Sequence, residues 1–218
     1  MIRVMNEQDV SVEIPEPRLS RFVFSDTRFS WIWLLLRLYV GYQWIMAGWG
    51  KVTSAAWVGP QAGSAITGFL NGALAQATGA HPAVSSWYAY FISNIALVHP
   101  VFFSYLITYG ELAVGIGLIL GAFTGIAAFF GILMNFNYLF AGTVSINPLL
   151  LLIELFLVLA WRNAGWLGLD RWFLPNLGAP WQGGKLFKEK RELSPIEMLL
   201  LVMGAGMVVL VVLALYFR

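Results

Sequence analysis

Long apolar runs separated by short breaks dominate the chain from residue 30 onward. Most runs approach the ~20 residues that a helix needs to cross a ~30 Å hydrocarbon layer. One break is the glycine-bounded turn at residues 121–125, and another ends at Asn147, a good N-cap, followed by Pro148, which is favoured in a first helical turn. The pattern predicts five spans, at about residues 30–50, 101–120, 125–140, 148–162 and 195–217.

The segments between these spans complete the predicted architecture. In residues 51–100, Ile66 is followed by Phe69, Leu70 and Leu74 at helical spacing, which predicts short interfacial helices forming a lid over the bundle. We therefore expect an all-α integral membrane protein with a four-helix bundle, a fifth C-terminal span and short extracytoplasmic interfacial helices. The predicted parts are an N-terminal segment (1–29), the bundle with its lid segment (30–162, lid 51–100), an interfacial segment and linker (163–194) and the fifth span (195–218).

Composition narrows the function classes. The chain is 59% hydrophobic and 11% charged, far from a soluble domain, so lipid is the expected surrounding. The small net charge gives no support for nucleic-acid binding. With no cysteine, disulfides, iron–sulfur clusters and c-type haem are excluded. His81 and His99 are far apart in sequence, and no nucleotide fingerprint is present, so we expect no metal, haem or flavin.

The distribution of basic residues predicts the orientation. Residues 1–29 and 163–194 carry nearly all of the arginines and lysines outside the spans, whereas the lid segment has Lys51 alone. The positive-inside rule therefore places the N-terminus in the cytoplasm and, with five spans, the C-terminus outside. Residues 1–29 contain no apolar core of a signal peptide. The expected location is the inner membrane of a prokaryote.

Three charges fall inside the predicted spans, away from their ends: Arg37, Glu111 and Glu154. A central ionised residue costs about 2.5–3.5 kcal/mol even on the lenient insertion scale, so each needs a partner or a purpose. Arg37 and Glu111 lie at depths that allow them to pair, either to hold two helices together or to serve a function. Glu154 lies nearer the outer surface, as a proton exit or substrate gate, or paired with Lys51 or with backbone groups.

Polar and small residues are concentrated on matching faces of the predicted spans. Asn135 and Tyr138 lie one turn apart on the third span. One side of the first span carries Arg37, Gly41, Trp44, Gly48 and Lys51, and one side of the second carries Ser104, Thr108, Glu111 and Gly115. Convergence of these faces beneath the lid segment predicts a cofactor site inside the bundle.

Several short motifs resemble the DoxX/DoxD family of small membrane proteins. They are Arg37-Leu38, the run Gly-Trp-Gly-Lys-Val at 48–52, Gly110-Glu111, and the glycine-spaced run at 115–121. The aromatic lid segment and residues 135–161 look more similar to the DoxD branch, the large subunit of thiosulfate:quinone oxidoreductase. The chain departs from the family pattern at Thr124, where an arginine is common, adds a fifth span and lacks a fused DoxA-type domain.

The resemblance implies oxidation of thiosulfate to tetrathionate outside the cell, with electrons passing to ubiquinone, menaquinone or a caldariella-type quinone. Roles compatible with this chemistry can be given to eight residues. Arg37, Lys51, Glu111 and Glu154 are the catalytic candidates, and Trp44, Trp49, Tyr109 and Asn135 are the candidates for the quinone pocket. The small residues Gly204 and Gly206 favour a homodimer or a contact with a DoxA-like small subunit. The alternative function is a non-catalytic membrane anchor that stabilises a redox complex.

Overall fold

A computed structural model describes residues 16–176, together with residues 195–196 and 198–199. Within these residues the secondary structure is helical, without strands. The helices are α1 (Arg18–Ser25), a 3-10 turn (Thr27–Phe29), α2 (Ser30–Val52), α3 (Ser64–Ala75), α4 (Ser86–Phe91) with a π turn (Ile92–Ala96), α5 (Pro100–Leu120), α6 (Thr124–Phe140), α7 (Asn147–Leu159), α8 (Trp161–Ala164) and α9 (Asp170–Asn176). Residues 195–196 and 198–199 are helical; the rest of the predicted fifth span lies outside the described residues.

The first four predicted spans correspond to α2, α5, α6 and α7. Helix α5 begins at Pro100 and ends before Gly121, whose φ of 63° is the left-handed conformation that glycine adopts readily at a helix end. The predicted cap at Asn147 is wrong. Asn147 is already inside α7, and its side-chain amide donates to the Thr143 carbonyl at 3.0 Å instead of accepting from the helix. Pro148 does occupy the first turn.

The lid segment has its own small core. Helix α3 confirms the helix predicted from the spacing of residues 66–74. Its buried residues Ile66 and Leu70 pack with Val84, Tyr88 and Ile92 from the α4 region. The Tyr88 hydroxyl donates to the backbone carbonyl of Asn137 at 3.0 Å, which ties the lid segment to α6. Burial raises the pKa of Tyr88 to about 12, so this donor stays protonated at neutral pH.

The four long helices pack as two close antiparallel pairs. In the first pair, a Cβ on Gly48 of α2 would lie 3.0 Å from the Leu112 backbone of α5, and one on Gly115 would lie 2.7 Å from the Ile45 backbone. In the second pair, Gly131 of α6 faces Glu154 of α7. Gly125 of α6 faces Trp161, the first residue of α8. We call the end where α2 ends and α5 begins the lid end, and the end with the α5–α6 connection the turn end.

One helix in the described part of the chain, Pro100–Leu120, is long and apolar enough to cross a membrane. Helix α2 has 23 residues but includes Arg37 and Lys51. Helices α6 and α7 are apolar and shorter, with 17 and 13 residues. All four nevertheless contribute to a shared buried core, so any span formed by α5 is part of a bundle.

Candidate functional site

A cavity of about 1310 Å³ lies between α2, α5, α6 and the lid segment. Its walls are mostly aliphatic and aromatic side chains. Three polar groups from different elements share one region of its lining: Lys51 at the end of α2, Glu111 in the middle of α5 and Tyr138 near the end of α6. An apolar cavity with a few convergent polar groups is the usual form of a small-molecule site.

These three residues form what we call the Glu111 cluster. Lys51 Nζ lies 2.9 Å from Glu111 Oε1 and 2.7 Å from Oε2. The Tyr138 hydroxyl donates to Oε1 at 2.5 Å. Glu111 is 1% exposed and the Lys51 side chain 17% exposed, so the ion pair is largely shielded from solvent. The pair therefore places a compact set of donors and one acceptor at the wall of the cavity.

The lid segment covers the Glu111 cluster with two aromatic rings. Lys51 Nζ lies 5.1 Å from the centre of the Trp57 ring, within the range of a cation–π contact. The Trp57 carbonyl is held in turn by the Ser104 hydroxyl at 2.7 Å. Phe69 of α3 meets the Tyr138 ring edge-to-face, with centroids 6.1 Å apart. Closure of the cluster thus depends on residues of the lid segment, outside the four long helices.

Arg37 does not pair with Glu111, so that prediction is wrong. Its Nη2 donates to the Leu167 carbonyl at 2.9 Å, and its principal charge partner is Asp170. The guanidinium packs against Gly121 and Gly168, where an added Cβ would collide with it. Neither Arg37 nor Asp170 lines the cavity. The difference arises because the two residues lie at different heights in the bundle. Arg37 is near the turn end of α2, beside Gly121, whereas Glu111 is in the middle of α5, level with Gly48 in the lid-end half of α2.

Asp170 closes the turn end of the bundle. Its carboxylate accepts from the backbone N–H groups of Phe123 at 2.5 Å and Thr124 at 2.8 Å, which caps the start of α6. Its own N–H donates to the Gly121 carbonyl at 2.7 Å. Burial raises the pKa of this carboxyl group, and the hydrogen bonds and Arg37 oppose that shift. We call Arg37, Asp170, Gly121 and Gly168 the Arg37 cluster.

Glu154 belongs to a third group. One alternative paired it with Lys51, but the structure shows no such contact. Its Oε1 accepts from Trp44 Nε1 at 2.5 Å and its Oε2 from Asn135 Nδ2 at 2.7 Å. All three residues are buried, and Gly131 leaves the space that the carboxylate occupies. Trp44 also lines the cavity, but Glu154 and Asn135 do not. In this Glu154 cluster the carboxylate therefore fixes the ring that forms part of the cavity wall.

The predicted quinone pocket is only partly assembled. Trp44 faces the cavity, whereas Asn135 is directed to Glu154. Trp49 and Tyr109 lie outside the cavity lining, on the bundle surface, and are 60% and 49% exposed. Of the four catalytic candidates, Lys51 and Glu111 share the cavity and Arg37 and Glu154 do not.

Comparison with known proteins gives one match. The model of the DoxX family matches residues 32–144, more than half of the chain. The chain belongs to the DoxX family. Membership makes it a membrane protein, and the matched region contains the whole Glu111 cluster together with Arg37. No curated protein and no solved structure matches the chain significantly.

Three residues, Tyr138, Trp57 and Asp170, acquire a role that the sequence pattern did not assign. Tyr138 was visible as a polar residue on the third predicted span, and its position one turn from Asn135 was the available signal. Trp57 and Asp170 gave weaker signals: a lid tryptophan near the first span, and an acidic residue after a glycine-rich stretch. Their contacts cross from one element to another, which local periodicity does not report.

Proposed function

We propose that this protein is a membrane oxidoreductase that reduces a quinone in the cavity, with thiosulfate as the electron donor. The observation that carries the proposal is the Glu111 cluster at the wall of an otherwise apolar cavity. The cavity thus has a small polar region and a large apolar one. A quinone is built in the same way, because its ring carries polar carbonyl groups and the rest of the molecule is apolar. Its reduction also requires two protons, and the cluster supplies groups that donate and accept them.

The cluster contains groups for the two tasks of quinone reduction, which are to hold a carbonyl oxygen and to transfer a proton. The Lys51 ammonium has a third N–H, not used by Glu111, that can hold a carbonyl oxygen, whereas the single O–H of Tyr138 is donated to Glu111. Glu111, which accepts from both of them, holds these donors in place and is the group that can exchange a proton with a bound hydroxyl. Trp44 supplies a flat wall fixed by Glu154.

Thiosulfate is the proposed donor because of the charge around the entrance. The lid segment contains no aspartate or glutamate, and Lys51 lies at its start. Because Lys51 is paired with Glu111, the proposal depends on the absence of acidic groups from this surface, which therefore does not repel a small dianion. In the proposed reaction two thiosulfate ions lose one electron each and join through a new sulfur–sulfur bond as tetrathionate, and the quinone takes up both electrons and two protons. No protein thiol is needed.

The proposed topology has four spans, α2, α5, α6 and α7, in a prokaryotic inner membrane, with a fifth span after residue 194. The turn end faces the cytoplasm because the exposed arginines Arg18, Arg21, Arg162 and Arg171 lie in α1, α8 and α9. The lid end and the C-terminus then face outward, where thiosulfate arrives.

The test is thiosulfate-dependent reduction of decylubiquinone by the purified protein. Glu111→Gln is expected to lower kcat about 100-fold or more, the range for loss of a proton-transfer group. The matched pair Tyr138→Phe and Tyr109→Phe removes the same hydroxyl inside and outside the cavity. The first should slow the reaction, and the second should leave the rate unchanged.

Full activity in a folded Glu111→Gln variant would contradict the proposed mechanism. A wild-type protein that binds no quinone would instead favour the alternative of a non-catalytic membrane subunit. A protein that binds quinone but gains no electrons from thiosulfate would remove thiosulfate as the donor.

A further inference from the structure

The two close helix pairs leave a gap between α5 and α6. At the turn end these helices touch, since a Cβ on Gly117 would lie 3.0 Å from the Cβ of Ala127. Toward the lid end, at Gly110, the nearest atom to an added Cβ is the flexible Met134 sulfur at 3.5 Å. The cavity extends along this gap, because both Gly110 and Gly117 line it. Helices α5 and α6 therefore have space between them beside Glu111.

The gap reaches the surface of the bundle. Six large apolar residues of α5, the α5–α6 connection and α6 line the cavity and are also exposed by 41–57%: Leu106, Ile116, Phe123, Ile126, Phe130 and Leu133. In a membrane protein, an exposed apolar helix surface of this kind faces the hydrocarbon of the bilayer. The opening between α5 and α6 is thus lateral, into lipid.

We propose that the occupant of this gap is the isoprenoid tail of the quinone, which enters sideways from the bilayer between α5 and α6. The ring then lies against Lys51 and Tyr138, and the tail leaves through the opening beside Phe130. The inference rests on the proposed function and adds the entry route and the class of substrate, a long-tailed lipid quinone.

The size and shape of the cavity support this occupant. Its volume of about 1310 Å³ is larger than the roughly 300–1,000 Å³ typical of sites for drug-sized ligands. A free ring would leave most of that space unfilled. A ligand with one polar end and a long apolar chain matches a cavity whose charged groups are confined to the Glu111 cluster and whose remaining walls are mostly apolar.

Gly110→Leu tests the gap directly. The leucine side chain would project between α5 and α6, where a Cβ meets only a flexible side-chain end, so the helices need not move. The matched control is Gly72→Leu on α3, where a Cβ has no described atom within 4 Å and which does not line the cavity. Binding is measured by quenching of tryptophan fluorescence, since Trp44 and Trp57 line the cavity.

The probes are ubiquinone with its full isoprenoid tail and the tail-less benzoquinone with the same ring. We expect Gly110→Leu to lower the ratio of long-tailed to tail-less affinity at least about tenfold, a loss of ~1.4 kcal/mol. Gly72→Leu should leave the ratio at the wild-type value. An unchanged ratio in folded Gly110→Leu overturns the tail route. Failure of both probes to bind wild-type protein overturns the proposed function itself.

A second measurement does not depend on any variant. A ubiquinone analogue with a photoreactive diazirine on its tail is expected to label peptides of α5 and α6, around Leu106 and Phe130. The cavity also extends beneath the lid segment, along Ile66, Leu70 and Phe91. Labelling confined to the lid segment would place the tail there and overturn the lateral route.

Discussion

The Glu111 cluster and the Arg37 cluster each contain a basic residue and a buried carboxylate, and they differ in what surrounds these groups. Lys51 and Glu111 face a large cavity. Arg37 and Asp170 are enclosed by backbone: the Leu167 carbonyl, the Phe123 and Thr124 N–H groups, and two glycines. A buried charge in this protein is therefore not by itself a sign of chemistry. The space beside the charge separates a candidate site from a structural clamp.

The largest expected effect tests the functional side of this comparison. The triple variant Lys51→Met, Glu111→Leu and Tyr138→Phe removes the Glu111 cluster and leaves no partner unpaired. Replacing a buried ion pair by apolar residues of similar size is often neutral or stabilising by about 1–4 kcal/mol. We expect the thermal unfolding midpoint to be maintained, while quinone reduction falls about 100- to 10,000-fold. Retained activity, or a variant that does not fold, would mean that these charges serve the structure.

Asp170→Ala tests the structural side. It removes the acceptor of the Phe123 and Thr124 N–H groups at the start of α6, which is expected to lower the free energy of unfolding by about 2–4 kcal/mol. The KM for quinone should stay at the wild-type value, because Asp170 does not line the cavity. Asp170→Asn keeps an oxygen acceptor and should cost less. A changed KM without a stability loss would reverse the roles of the two clusters.

Glu154 extends the comparison to a carboxylate that accepts hydrogen bonds from two neutral donors, Trp44 and Asn135. Glu154→Leu leaves the Trp44 and Asn135 N–H groups buried without acceptors, for a combined loss of about 2–4 kcal/mol in unfolding free energy. Glu154→Gln should cost less than about 1 kcal/mol, because the Asn135 amide can turn and accept from the new side chain. Chemical unfolding of the two variants side by side checks this. A Gln variant as unstable as the Leu variant would show that the negative charge itself is needed.

The smallest expected effect concerns pH at the Arg37 cluster. Burial raises the pKa of Asp170, so the folded protein holds this proton more tightly than the unfolded chain does. The stabilisation by the protonated form is complete below the unfolded value of about 3.9 and is lost as the pH rises toward the higher folded value. The stability of wild type relative to Asp170→Asn should therefore decline over that interval. An increase would show that Arg37 and the cap outweigh burial.

The extents of the long helices were accessible from sequence because local signals control them. Pro100 starts α5, Gly121 ends it, and Pro148 lies in the first turn of α7. The error at Asn147 has a local cause as well. Its side chain found an acceptor one turn earlier, at Thr143, so the helix starts without the expected cap.

The partners of the buried charges could not be predicted from the sequence in the same way. Depth in the membrane made Arg37 and Glu111 plausible partners, but depth ignores the rotation of each helix and the reach of long side chains. Lys51 bends back from the end of α2 to reach Glu111, while Arg37 finds partners that follow α7 in the chain. Trp49 and Tyr109 fail to enter the cavity for the same reason, since their faces of α2 and α5 point away from it.

Hydropathy, turn residues and charge spacing are local properties of the chain. They were enough to predict a helical membrane protein that resembles the DoxX family and has three ionisable groups inside its apolar segments. The tertiary structure adds that Glu111 faces a cavity, that Arg37 donates to the Leu167 carbonyl, and that Glu154 accepts from Trp44. The reason is that a buried charge takes the partner that geometry brings within hydrogen-bond distance. That distance depends on how the helices rotate and pack against each other.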